Sequence, residues 1–439
     1  MENYNGSWCF VCSNGSKFFK LKIMGKTNVL YLCLILLFAC QSSFAWRAGF
    51  DSQPFPYTEH PESSDKMACM AGYGMFCWRQ ATGLHDRIGV QALFLTDEED
   101  DSLFLISLDA IGFSQSLADK VRKRLSTATL LPQENIILTA THTHSSIDLQ
   151  GLWGGLNKQQ EKAIIEAIVE TARNAWGNVQ KVSVHASTSD KLTGYNRRTN
   201  NSNIITQVLS LQLRNEQDKP FVTLFTLGSH PVILDKGNKK FSSDWVHYAR
   251  AELKQKLNVP AMFINGVLGD VLPAHGNPRT FAFAEKYGND IAKLILNSLD
   301  NSKPLKSSLS YCTEVISDQA DNYSLVMTTK ALQHGTVDWG DPFSRSYKTR
   351  TSVIVLDDIV LLTTPGEPVT ALGIQLMGLI RYNPVAVLGL THDSLGYLIP
   401  EKNIRTDGDE EKLMISHALS RKVARSLEHL ARKCRIRID

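Results

Sequence analysis

Short runs of β-branched and aliphatic residues recur along most of the chain and alternate with longer segments whose apolar positions repeat every three to four residues. The short runs, at residues 89–95, 102–108, 135–141, 181–186, 205–213, 221–227, 262–264, 352–356, 359–363 and 385–390, have the length and composition of strands. Between several of them a helical period holds over residues 115–125, 158–176, 245–257, 280–299, 368–380 and 410–433. Strands and helices interleaved in this way predict a single layered α/β domain. No linker, repeat or composition break interrupts residues 46–439, which read as that one domain. The order of strands within a sheet does not follow from the pattern.

Residues 29–39 are the most apolar run, but about 20 apolar residues are needed to cross a bilayer, so a transmembrane helix is excluded there. Lys17, Lys20, Lys22 and Lys26 precede the run and the small-x-small triplet Ser43-Phe44-Ala45 follows it. Residues 1–45 therefore read as an extension with an export signal, the alternative being a buried core helix. Met24 offers a second start position, and Leu37-Phe38-Ala39-Cys40 resembles a bacterial lipoprotein box. The protein is expected to be exported: periplasmic, secreted, or tethered to the envelope through Cys40. Beyond Ala45 the cysteines are Cys69, Cys77, Cys312 and Cys434, an even number suited to an oxidising compartment. Cys69 and Cys77 are near enough in sequence to pair, with free buried thiols the alternative.

Composition narrows the classes further. The chain has 439 residues, 43% of them hydrophobic, with Lys+Arg 47 against Asp+Glu 44 and a net charge of +3. That supports a large core and excludes disorder as the main description. There is no long basic run, hence no electrostatic footprint for a nucleic acid. No pair of CxxC motifs occurs, which rules out a cysteine zinc site.

The candidate chemistry lies at strand ends, where α/β folds place their ligands. In Asn135-Ile-Ile-Leu-Thr-Ala-Thr-His-Thr-His144, the period of two puts His142 and His144 on one side, where two imidazoles can converge on an ion. The bland reading is a pair of structural hydrogen-bonders. His230-Pro231 follows the run 221–227, Glu367 follows 359–363, and Asp393 and Tyr397 follow 385–390. Taken singly these read equally as a turn, a helix first-turn carboxylate and a core aromatic. Gly269-Asp270-Val271 is a tight turn after a strand.

Taken in order, Thr141-His142-Thr143-His144-Ser145, Tyr195-Asn196-Arg197, Gly228-Ser229-His230-Pro231, Ser243-Asp244-Trp245, Gly269-Asp270-Val271, Pro365-Gly366-Glu367 and Asp393-Ser-Leu-Gly-Tyr397 resemble the N-terminal catalytic domain of the neutral/alkaline non-lysosomal ceramidase family. Ala71-Gly72-Tyr73-Gly74 and Gly83-Leu84-His85-Asp86-Arg87 resemble its opening. The resemblance spans residues 46–439 and implies a zinc hydrolase of linear amides, splitting ceramide into sphingoid base and fatty acid with metal-activated water. It implies His142, His230, Glu367 and Tyr397 as Zn2+ ligands, with His144, Arg197 and Tyr397 in catalytic roles. A small-molecule lipid amide is the implied partner.

Two departures qualify that picture. Ceramidases of this family carry serine after the Gly-Asp-Val turn, where this chain has Leu272, which can neither donate, accept nor attack. They also continue into an immunoglobulin-like β-sandwich, and the present sequence reads as the catalytic domain without it. In residues 410–433, Leu413, His417, Leu427 and Leu430 with interspersed Arg and Lys form either a membrane-surface face or a stripe covering one edge of the core. Three readings result: a ceramidase, a hydrolase of the same fold acting on a different amide or ester, and a non-catalytic lipid-binding relative.

Overall fold

The computed structural model describes residues 8–13, 17–22, 46–58, 69–74, 76–190, 194–273, 278–332, 337–339, 343–382, 384–434 and 436. The chain divides into residues 1–43 and 44–439. In the first unit Trp8–Ser13 pairs antiparallel with Lys17–Lys22, so Lys17, Lys20 and Lys22, expected as the basic flank of an export signal, lie on a strand. Met24, the apolar run 29–39, Cys40 and the triplet 43–45 lie outside the described residues.

The second unit carries eight strands of one large sheet: β1 (Trp46–Pro54), β2 (Gly89–Thr96), β3 (Ser102–Leu108), β4 (Ile136–Ala140), β5 (Gln180–Asp190), β6 (Gln207–Asn215), β7 (Pro220–Leu227) and β8 (Ala261–Asn265). Their order is β8-β7-β6-β5-β1-β2-β3-β4, with the short strand Lys303–Pro304 added alongside β5. A smaller sheet follows, in the order β9 (Leu309–Gln319), β10 (Ser346–Leu356), β11 (Ile359–Thr363) and β12 (Val385–Leu388). The helices are α1 (Gln115–Thr129), α2 (Lys158–Gly177), α3 (Trp245–Leu257), α4 (Phe281–Leu299), α5 (Tyr323–Leu332), α6 (Thr370–Met377) and α7 (Leu419–Lys433). Three pairs are parallel, β3/β4, β7/β8 and β11/β12, and each is joined through a helix: α1, α3 and α6.

Alternation of side chains sorts these elements into layers. Leu93, Leu95, Leu103 and Leu105 of β2 and β3 meet Ile354, Leu356, Ile359 and Leu361 between the two sheets. Their neighbours Ala92, Phe94, Phe104 and Ile106 face the other way, under Leu117 and Val121 of α1 and Ile164 and Ile168 of α2. Helices α3 and α4 cover the β7–β8 end through Trp245 and Ile291 against Phe225 and Phe263. Helices α6 and α7 cover the small sheet through Leu372 and Val423 against Val360 and Leu362. The result is a helix–sheet–sheet–helix stack, a mixed α/β fold. Ser107 Oγ on β3 donates to Phe263 O on β8 at 2.8 Å, and Asn265 Nδ2 at the end of β8 donates to Thr141 O just past β4. Strands from opposite ends of the large sheet thus touch, and the carboxyl ends of β4 and β8 lie side by side.

Several elements differ from the pattern-based expectation. Strand β1 and helix α5 have no periodic signature strong enough to predict them, and β9 is a polar edge strand with no apolar run. The helix expected over residues 410–433 begins only at Leu419. Residues ahead of it are held elsewhere: Glu410 and Glu411 accept from Arg198 at 3.1 and 2.6 Å, and Asp321 accepts from the His417 N–H at 3.1 Å. Leu427 and Leu430 are buried against the small sheet, so α7 covers the core and does not present them to a membrane. Disulfides join Cys69 to Cys77 and Cys312 to Cys434. Among the described residues no helix is long and apolar enough to cross a membrane.

Candidate active site

The three parallel pairs aim their carboxyl ends at one place. Strand β4 ends at Ala140, and the next residues form a turn in which His142 takes φ 68°, a conformation a β-carbon disfavours. Its N–H donates to Ala110 O at 2.8 Å and its Nδ1–H to Ile111 O at 2.6 Å, which holds the ring there. His142 and His144 do converge, with Nε2 atoms 3.4 Å apart, but through this turn and not through the strand pleat that the sequence suggested. His230 leaves β7 through Gly228-Ser229, and Val271 O accepts both its N–H and its Nδ1–H at 3.0 Å. The Gly269-Asp270-Val271 turn is therefore more than a connection: it fixes a histidine. Glu367 follows β11 on a two-residue strand, Glu367–Pro368, paired in parallel with Tyr397–Leu398, which sets Glu367 beside Tyr397.

Glu367 Oε2 lies 3.3 Å from His142 Nε2 and 3.3 Å from His230 Nε2, all three side chains being buried. Both imidazoles donate Nδ1–H to a backbone carbonyl, which turns each Nε2 toward the Glu367 carboxylate. Glu367 Oε2 and His230 Nε2 have no hydrogen-bond partner among the described residues. Burial pushes the His144 and His230 imidazoles below their ordinary pKa, so they stay neutral. Burial also pushes the Glu367 carboxyl up, but His142 and His230 outweigh it and hold it well below the carboxylate range. Leaving a buried carboxylate oxygen and imidazole nitrogen without a hydrogen-bond partner is costly. A cation relieves that cost. The set is two or three imidazole nitrogens and a carboxylate, donors that zinc accepts. Imidazoles whose second N–H is tied to a carbonyl have the usual bearing of metal ligands. The ligand atoms of His142, His144 and His230 lie within 4.8 Å of one another, a grouping able to hold a metal ion.

Arg197 and Tyr397 adjoin this cluster. Arg197 Nη2 donates to Tyr397 Oη at 2.9 Å and to Gly269 O at 3.1 Å, while its Nε lies 2.8 Å from Glu410 Oε1. Burial, then the Glu367 charge, pushes the Tyr397 phenol well above its ordinary pKa, which keeps it protonated. Asp270 binds the surroundings together by accepting from Asn196 Nδ2, the Thr370 N–H and Thr370 Oγ1, each at 2.7 Å. Leu272 pairs with Tyr195 in a short ladder and offers no polar group.

Sequence reasoning assigned no role to Tyr73, Arg79 or Glu410. The Tyr73 ring meets His144 edge-on at 5.1 Å, and Arg79 Nη2 donates to the carbonyls of Ala71 and His144. The motif Ala71-Gly72-Tyr73-Gly74 was the available signal, since its glycines turn the loop against His144. Glu410 gave none, being an ordinary acidic residue in a charged stretch. The cluster opens into a cavity of ≈ 180 Å³ whose walls include Ile111, Leu152, Trp153, Leu325, Val337 and Leu395, with His142, His144, Glu367 and Tyr397 also lining it. An apolar chamber beside a polar cluster is the ordinary make-up of a small-molecule site.

Residues 66–274 match the family model described as neutral/alkaline non-lysosomal ceramidase, N-terminal. That segment contains His142, His144, Arg197 and His230; Glu367 and Tyr397 lie beyond it. Among solved structures, the neutral ceramidase from Pseudomonas aeruginosa is similar with a TM-score of 0.76 and 14% identity, over 90% of this chain and 75% of that one. A ceramidase complexed with C2 is similar with a TM-score of 0.75 and 13% identity, over 90% and 76%. At such identities the likeness is one of fold. Segment match and fold agree with the ordered motifs: residues 66–274 match the neutral/alkaline non-lysosomal ceramidase family, and the fold is similar to that of neutral ceramidase structures.

Proposed function

We propose that the protein is a zinc-dependent hydrolase of N-acyl amides, with ceramide as its substrate. The observation that carries this reading is the buried convergence of His142 Nε2, His230 Nε2 and Glu367 Oε2 at the edge of an apolar cavity, with Glu367 Oε2 and His230 Nε2 lacking a hydrogen-bond partner among the described residues. His142, His230 and Glu367 would hold the ion, with Tyr397 as a weaker oxygen donor. His144, grouped with the other two imidazoles, is the competing fourth ligand. Zinc bound there supplies a Lewis acid that lowers the pKa of water toward 7 and polarises a carbonyl.

The chain's own groups supply the rest. The apolar walls take the acyl chain and exclude water from it. Arg197 donates to Tyr397 Oη, which leaves the phenolic O–H free to turn toward a developing oxyanion. His144, neutral, accepts the proton of the attacking water and returns it to the departing amine. Leu272 offers no nucleophile, so no acyl-enzyme forms at that position. Export to an oxidising compartment is part of the proposal, supported by the two disulfides.

The test is hydrolysis of a fluorescent long-chain ceramide, beside a short water-soluble N-acyl amide, by the purified chain from Trp46 onward. Release of sphingoid base and fatty acid is expected. Turnover of the short amide alone would favour a different substrate on the same fold, the reading that Leu272 supports. Turnover of neither, with the ion bound, would favour the non-catalytic relative.

A further inference from the structure

Asp148 lies four residues past His144, in the loop between β4 and α2, and is 1% exposed. It takes no part in the chemistry proposed above, yet its two carboxylate oxygens collect four backbone N–H groups. Oδ1 accepts from Gln150 at 3.0 Å and Gly151 at 2.8 Å, and Oδ2 accepts from Trp153 at 2.7 Å and Gly155 at 2.9 Å. The first two bonds make an ordinary Asx turn. The other two reach past it and wrap residues 150–155 round one side chain, whose facing partners are all donors and so call for a carboxylate that only accepts.

That loop supplies one wall of the cavity beside the His142–His230–Glu367 cluster, through Gln150, Leu152 and Trp153. Leu152 and Trp153 pack with Ala71 and Ile111 in a small apolar cluster of their own. Four apolar residues are little to offset the entropy of ordering a loop, and the charge-assisted bonds to Asp148 supply the rest. The loop in turn braces its neighbours. Trp153 Nε1 donates to Gly74 O at 2.8 Å, and Gln150 Nε2 donates to Ser394 O at 2.7 Å, three residues before Tyr397. Gly154 leaves room for the disulfide, since a β-carbon there would lie 2.7 Å from Cys69 Sγ.

We infer that Asp148 is a positioning residue: it moulds residues 150–155 into the wall against which an apolar acyl group binds, and so sets selectivity for that group. Asp148 is not among the residues lining the cavity and acts through Leu152 and Trp153. A cavity of ≈ 180 Å³ with mostly apolar walls has room for a small apolar molecule. That the molecule is an acyl group rests on the hydrolase reading above; the shaping of an apolar wall does not.

The experiment pairs amide turnover with titration calorimetry of octanol, which has no bond to hydrolyse. Asp148→Asn is close to isosteric, but its amide turns N–H groups toward two of the four backbone donors and loosens the wall. It should weaken octanol binding about tenfold and raise KM for a long-chain N-acyl amide by about the same factor, with kcat and zinc content held. KM for a short water-soluble N-acyl amide should stay within about twofold. General loss of structure would separate neither KM from kcat nor the long acyl group from the short one. Leu152→Ala keeps all four bonds to Asp148 and should weaken octanol binding too, so the wall is tested even where Asp148→Asn fails to fold. Hydrogen exchange of the unmodified chain, read by mass spectrometry, tests the bonds themselves: residues 150–155 should exchange slowly. No octanol binding by the unmodified chain, equal binding by the variants, a fall in kcat at constant KM, or rapid exchange of residues 150–155 would overturn the proposal. Turnover of neither amide by the unmodified chain would remove the hydrolase reading and leave octanol binding and hydrogen exchange to decide this one.

Discussion

Replacing Gly72 with alanine puts a methyl group where His144 already stands. Gly72 has φ +118°, and a β-carbon there would lie 2.6 Å from His144 Cγ and 2.7 Å from its Cβ and Nδ1. Carbon atoms rest about 3.5 Å apart at closest comfort, so the imidazole must retreat by roughly 1 Å. It has little room, since the Tyr73 and His142 rings stand 5.1 and 5.0 Å away, centroid to centroid. The backbone strain costs about 1–3 kcal/mol and the overpacking a similar amount, giving a loss of about 2–5 kcal/mol in stability. A displacement of that size in a catalytic group costs turnover about 100-fold. Gly74→Ala is the comparison: φ is +66°, and the new methyl meets the side chain of exposed Trp78, which can move. It should cost about 1 kcal/mol and, since His144 stays in place, lower the rate far less than Gly72→Ala does. Urea unfolding followed by tryptophan fluorescence gives the first quantity and initial rates of ceramide hydrolysis the second. A Gly72→Ala protein that unfolds with the Gly74→Ala protein and turns over normally would refute the placement of His144.

Three further outcomes follow from the same geometry. Burial raises the Asp393 carboxyl to about 7, above its unfolded value near 3.9, so stability should fall as pH rises from about 4 to about 7 and level off beyond. Asp393→Asn can still accept from the Ser394 N–H and meet Thr349 Oγ1; it should be more stable than the unmodified chain by a few kcal/mol at pH 8, with no advantage at pH 4, and a constant difference across that range would contradict the assignment. Cys312–Cys434 bridges 122 residues of sequence, so the double serine variant should lose up to about 5 kcal/mol in denaturant titration, and a change under about 1 kcal/mol would mean the crosslink constrains little. Leu272→Ser should alter ceramide turnover less than tenfold; activity that appears only in the variant would mean the serine is required after all.

The sequence carried the site more clearly than the scaffold that holds it. His142, His144, His230, Glu367 and Tyr397 each follow an apolar run, and a residue after a buried strand has few places to go but the strand's carboxyl end. Their meeting, however, depends on the curl that brings β8 beside β4, fixed by Ser107, Phe263 and Asn265, and no periodicity encodes a contact between distant strands. Strand β9 stayed hidden because an edge strand needs no apolar alternation. The supports were hidden for a different reason. Arg79 reaches the His144 carbonyl across 65 residues and Glu410 reaches Arg197 from beyond Tyr397, and a long-range ion pair or hydrogen bond leaves no local signature. Pairing of Cys69 with Cys77 was open at the level of spacing and became definite only through the loop that carries Gly72 against His144.

The central claim is that the buried donors of His142, His230 and Glu367 exist to hold a zinc ion. Its most direct test is metal analysis of the purified chain by mass spectrometry, beside His230→Ala and Glu367→Gln, with circular dichroism to confirm that each variant folds. One zinc per chain in the unmodified protein, lost from both folded variants, is the predicted result. A folded, unmodified chain that takes up no zinc, or a folded His230→Ala protein that keeps it in full, would contradict the account.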